Sequence, residues 1–257
     1  MLKLETPYLA QATYLLQFKA PKLKVRFDQA AAEEAFAPLV GTQSQQTNVP
    51  DQLDPNVPRI VFPSEKKQIT ISQVQCQLEC NFPGAEMGIQ KQLGVTSKNV
   101  LDFHTRALRF KNADEFGLTA ISLQFNFPSH EKTQSLQQFI YDNYVKISPI
   151  GEVASAQIQL GFSIDGHFFN LFANAYEKRA INITPQFGET HRVMNMAEMP
   201  IIEQGIGVKL EVNNKPSAES IKDIIVGDPQ RLLDLCSAFI DKNFEKVTGL
   251  ALNGSRT

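Results

Sequence analysis

Few residues in this chain have the types and spacing that chemistry needs. Asp102, His104 and Arg106 follow one another at intervals of two. On a strand they would share a face, and a base, its orienting carboxylate and an anion-stabilising cation would stand together. On a helix the same three side chains diverge, because residues two apart do not face each other. The surrounding pattern favours the helix. Asp165 and His167 repeat the spacing around Gly166, where the simplest role for the aspartate is to shape a turn. The remaining histidines are His130 and His191.

Cysteine chemistry is equally sparse. Cys76 and Cys80 lie in an alternating run. At ~3.3 Å per residue a strand would hold them ~13 Å apart, beyond the ~7 Å reach of a disulfide. Cys236 falls on the apolar stripe of a helix. All three cysteines are therefore expected to be free thiols, as suits a reducing cytoplasm. The sequence contains no CxxC, HExxH, GxxxxGK[ST] or GxSxG motif. Gly205-Ile206-Gly207 leads into a strand, without the helix that a dinucleotide loop requires. Neither a catalytic residue, nor a metal site, nor a cofactor is assigned.

Charge narrows the partners. Lys and Arg total 25 against 27 Asp and Glu, a net charge of −2, whereas nucleic-acid binders carry a basic excess. The cluster Lys19, Lys22, Lys24 and Arg26 reads as a solvated loop. No stretch approaches the ~18 apolar residues of a membrane span. The opening Met1–Ala10 contains Glu5 and Pro7 and lacks the apolar run of a secretory signal. A cytoplasmic protein that does not bind membrane or nucleic acid is expected.

The elements that must position any site are legible in part. Val74, Cys76, Leu78, Cys80 and Phe82 alternate with Gln73, Gln75, Gln77, Glu79 and Asn81, the pattern of a strand with one dry face and one wet face. Ile121 to Phe127 and Ile158 to Ile164 repeat it. Such strands imply antiparallel sheet covered on its apolar side. Tyr14, Leu16 and Phe18 form an early strand. A helix with Asp28 as N-cap carries Ala31, Ala32, Ala35, Phe36 and Leu39 as its apolar stripe. Gly41 to Pro58, rich in Gln, Thr, Asn and Pro, reads as a mobile loop or a linker. Ile60–Phe62 and Ile69–Phe82 suggest a hairpin, with a β-bulge near Ser72-Gln73 where the alternation changes parity. Pro83–Ser97 reads as loop, Lys98–Phe110 as helix and Thr133–Val145 as helix. Asp165-Gly166 is the preferred pair of a two-residue type I′ turn and would set Ile164 opposite His167, Phe162 opposite Phe169 and Leu160 opposite Leu171. Ile206 to Val212 is a later strand. Asp228-Pro229 opens a long C-terminal helix.

The length of 257 residues allows one large domain or two. The expected class is α+β: antiparallel sheets with helices packed on one face. Two similar sub-domains would divide near Ser148-Pro149, residues 1–148 and 149–257. A six-residue echo, Gln77–Phe82 against Ser122–Phe127, hints at duplication but is what two alternating strands show by chance.

The order of parts resembles a family of sporadically distributed bacterial proteins of roughly this length and unknown function. The likeness rests on Pro58-Arg59-Ile60, on the wet-faced strand through Asn81-Phe82, and on the closing Phe244-Glu245-Lys246-Val247-Thr248. It implies no activity and no site residues.

One strand departs from the one-sided pattern. Phe169, Leu171, Ala173 and Ala175 face the expected core, yet Phe168, Phe172 and Tyr176 lie on the opposite face, with Asn170 and Asn174 between them. Three aromatics on a wet face need a cover: the segment Pro185 to Gly205, a second copy, or a protein partner. These residues mark the expected interface of a protein-binding or self-associating module rather than an enzyme. The competing expectation is a ligand pocket or enzyme site between the C-terminal helix and a curved sheet.

Overall fold

A computed structural model describes residues 2–145, 147–180, 199–215 and 224–252. Its strands form a single nine-stranded antiparallel sheet in the order β2-β3-β4-β5-β1-β6-β9-β8-β7. The strands are β1 (Tyr8–Phe18), β2 (Gln45–Gln46), β3 (Ile60–Phe62), β4 (Lys67–Ile71), β5 (Gln75–Asn81), β6 (Phe116–Pro128), β7 (Gln157–Ile164), β8 (His167–Arg179) and β9 (Ile201–Asn213). The helices are α1 (Gln29–Val40), α2 (Ile89–Phe110), α3 (Thr133–Tyr144) and α4 (Pro229–Phe239). Alternation decides which face is dry. Tyr14, Leu78, Ile121, Leu210 and Leu171 are buried on successive strands and join one core with Phe36, Phe103, Leu136 and Phe239 of the helices. All four helices thus lie on one face, and the α+β class is as the sequence pattern predicts.

The sheet contains a repeat. The order strand-helix-three strands-helix occurs first as β1, α1, β3, β4, β5, α2 and again as β6, α3, β7, β8, β9, α4. Each half has the same sheet order, β3-β4-β5-β1 and β7-β8-β9-β6, and the halves join through the antiparallel pair β1–β6. The molecule is built like a two-fold dimer on one chain, with β2 added at one edge. The repeat therefore turns over between α2 and β6, near residue 112, and the sheet runs unbroken past Ser148-Pro149. The echo between Gln77–Phe82 and Ser122–Phe127 is coincidental, since β5 and β6 occupy different places in the repeat.

Local chemistry explains most elements. Asp165 (φ 50°) and Gly166 (φ 72°) both take positive φ, and the pairing is Ile164 with His167, Phe162 with Phe169 and Leu160 with Leu171, the register of a two-residue hairpin. Asp228 accepts a hydrogen bond from the Gln230 backbone N–H at 3.0 Å and Pro229 opens α4. The C-terminal helix is not uniform: it widens to a π-helical segment over Ile240–Phe244 before a last turn, Glu245–Thr248. The wider turn sets the Phe244 ring 5.3 Å from Phe125.

Four local expectations are corrected. The parity change at Ser72-Gln73 is the turn between β4 and β5, not a bulge; Ile71 pairs with Cys76 across it. Pro83–Ser97 is not all loop, because α2 begins at Ile89. Asp28 makes no side-chain cap and instead pairs with Lys111 at 2.8 Å. Finally, the loop 41–58 is tied down. Gln45-Gln46 pairs with β3, and the wholly buried Arg59 donates to the carbonyls of Pro50, Leu53 and Asp54 at 3.2 Å and of Val57 at 2.6 Å. Asp51 lies 3.4 Å from Arg59 and 2.8 Å from Arg26. A buried guanidinium needs such a cage, and the cage is the loop.

Candidate functional site

Among the described residues no helix covers the other face of the sheet. Its side chains are dominated by amides and hydroxyls: Gln75 and Gln77 of β5, Gln11 and Thr13 of β1, Ser122 and Gln124 of β6, and Gln157 and Gln159 of β7. On this face Phe168, Phe172 and Tyr176 stand in a row along β8, all half-buried. Sheet register sets their neighbours. Phe172 lies between Gln159 and Lys209, Phe168 between Ser163 and Asn213, and Tyr176 beside Gly205. The structure therefore brings the three residues together as a ridge.

Their surroundings differ. The Lys209 ammonium sits 4.7 Å above the half-buried Phe172 ring, an attraction of cation and π face. Tyr176 is held inside the molecule. Its hydroxyl donates to the Glu203 carboxylate at 2.7 Å, and Tyr8 donates to the same carboxylate at 2.8 Å. Lys178 pairs with Glu203 at 2.8 Å and lies over both tyrosine rings. Burial pushes the Tyr176 phenol up, reinforced by its bond to Glu203. For Glu203, burial works in the opposite sense, but the bonds from Lys178, Tyr176 and Tyr8 prevail and hold its carboxyl below the usual range. This carboxylate has its lone pairs occupied, which makes it a structural anchor and a poor general base. Gly207 makes room here: a Cβ would come within 2.9 Å of the Gln124 amide.

Sequence spacing pointed to the ridge but not to the anchor. Tyr8 and Glu203 are 195 residues apart, and only the order β1-β6-β9-β8 makes them neighbours. The segment 185–205, a candidate cover for the ridge, lies outside the described residues through position 198, as does His191.

The other sites resolve simply. His104 is on α2, where its Nδ1 is 2.8 Å from the Tyr14 hydroxyl. Burial lowers its pKa. Asp102 and Arg106 pair with each other at 2.7 Å one turn apart, so the three do not converge. His167 Nδ1 lies 2.9 Å from the Asp165 carbonyl within the hairpin turn. Cys76, Cys80 and Cys236 are unpaired and buried, and burial pushes the Cys80 thiol up to about 11. Between the C-terminal helix and the sheet, where a pocket was the competing expectation, Phe239 stacks on Phe169 at 5.4 Å and lies tilted against Phe162 at 6.4 Å. Among the described residues no group of three His, Cys, Asp or Glu could hold a metal ion, and no helix is long and apolar enough to cross a membrane.

No family model, no curated protein and no solved structure matches this chain. The arrangement of the site is therefore the whole basis for a functional reading.

Proposed function

We propose that this protein is a recognition module that binds a protein, either a second copy of itself or another chain, through the face of its second repeat opposite helices α1–α4. The observation that carries this reading is the ridge of Phe168 and Phe172 on an otherwise amide-rich face. Aromatics are enriched at the cores of interfaces, where a rigid apolar body is ringed by polar contacts. The adjoining strand β7 supports it: β7 pairs with β8 and with no other strand among the described residues, so its outer backbone groups face outward beside the ridge. The buried free thiols fit a reducing compartment such as the cytoplasm.

Phe172→Asp tests the reading. The ring is half-buried and packs under Lys209, so the variant is expected to keep its circular dichroism spectrum while losing mass in light scattering, or losing its partner in a pull-down. Loss of the folded spectrum would assign Phe172 to the internal core and refute the interface.

A further inference from the structure

The first repeat holds a cavity of about 660 Å³ that the recognition reading leaves unused. It opens where α1 ends and α2 begins, above the ends of β4 and β5. That volume lies within the ~300–1,000 Å³ of small-molecule sites. Its walls are largely apolar: Leu39 from α1, Phe82 beyond β5, and Met87 and Val95 around the start of α2. Met87 and Val95 are 45% and 41% exposed, more than an apolar side chain on a packed helix face would be.

Cations stand around this apolar lining. Lys66, Lys67 and Lys98 all line the cavity. Lys67 donates to the Leu39 carbonyl at 2.7 Å and so closes the C-terminal end of α1. Lys66 and Lys98 have no ion-pair partner among the described residues. Lys66 comes from the turn before β4 and Lys98 from α2. Of the two acids in the lining, Asp102 is held by Arg106, which leaves Glu86 against three lysines. The floor is fixed independently of any occupant. Gln92, wholly buried, accepts from the Leu9 backbone N–H and donates to the Gly84 carbonyl, both at 2.9 Å, and so pins the 82–88 loop that forms one wall.

We infer that this cavity is a binding site for an anionic amphiphile, a molecule with a hydrocarbon chain and a single carboxylate. The chain would cover Leu39, Phe82, Met87 and Val95, and the carboxylate would lie between Lys66 and Lys98. The site is on the helical side of the sheet, in the opposite repeat from the aromatic ridge, and stands whether or not that ridge is an interface.

Titration calorimetry with dodecanoate below its micellar concentration tests the inference. Saturable binding of one dodecanoate per chain is expected, with dodecyltrimethylammonium binding far more weakly. The exposed-residue variant Lys66→Glu/Lys98→Glu should weaken dodecanoate by about ten-fold or more with no change in thermal midpoint without ligand. Val95→Trp, which fills the cavity from its exposed wall, should abolish binding. Absence of saturable binding to the wild type overturns the site. So does equal affinity for the cationic amphiphile, or unaltered dodecanoate affinity in both folded variants.

Discussion

The two repeats have the same order of strands and helices and finish their outer edges in opposite ways. In the first, the outermost strand of the repeat, β3, is three residues long, and the 41–58 loop closes over it, pairing through β2 and held by Arg59 and Arg26. In the second, the edge strand β7 is eight residues long, has no strand beyond it among the described residues, and borders the aromatic ridge. An exposed edge is an invitation to pair, and proteins that do not use one cover it. Among the described residues the first repeat is closed at its edge and has a cavity beside its helices, and the second presents a face and an edge. Predictions that break this contrast are the most useful ones.

The largest effect is expected in the closed repeat. Arg59→Ala would leave a set of inward-pointing carbonyls without a donor and open a cavity beneath them. It should cost about 3–5 kcal/mol in denaturant unfolding, and limited proteolysis should cut within 41–58. A variant whose loop resists protease as the wild type does would show that the cage does not hold the edge closed. Next is Gly205→Ala in the open repeat. Its Cβ would stand 2.2 Å from the Phe127 carbonyl oxygen, a backbone atom that has little room to yield. A loss of about 3 kcal/mol is expected, while β5, the counterpart of β9, contains no glycine at all.

Gly166→Val should cost about 1–2 kcal/mol, because a β-branched residue is forced to the positive φ of 72°. An unchanged unfolding midpoint would mean that the β7–β8 hairpin does not need this turn.

The smallest effect separates the repeats by pH. The unfolded imidazole of His104 protonates near its ordinary value of about 6.5, and the folded one only at lower pH, because burial disfavours the charged ring. Within that interval the unfolded chain binds more protons, so stability falls as pH drops from about 6.5 towards the folded pKa. The ring is also tied to the Tyr14 hydroxyl, 2.8 Å from its Nδ1. His104→Gln should flatten the dependence of the thermal midpoint on pH in this range. A slope unchanged by the substitution would place the titrating group elsewhere.

The sequence by itself determined what nearest neighbours decide. Strand alternation, the Asp165-Gly166 turn and the Asp228-Pro229 helix start depend on side chains within a few residues of one another, so periods and turn residues reveal them. The first turns of α2 were hidden for a local reason: after Ile89 the buried stripe there runs through two polar residues, Gln92 and Thr96. Gln92 is tolerated only because Leu9 and Gly84 satisfy its amide, and neither bond is visible in a helix-period pattern. The ridge of Phe168, Phe172 and Tyr176 was legible because all three share one strand. Its division was not: Tyr176 is anchored by Tyr8, Lys178 and Glu203, while Phe172 is half-buried under Lys209. Tertiary structure alone decided that division, the position of the repeat boundary near residue 112, and the cage around Arg59. Each depends on the spatial order of strands, and a side-chain period of two reports which face a residue takes but not which strand lies beside it.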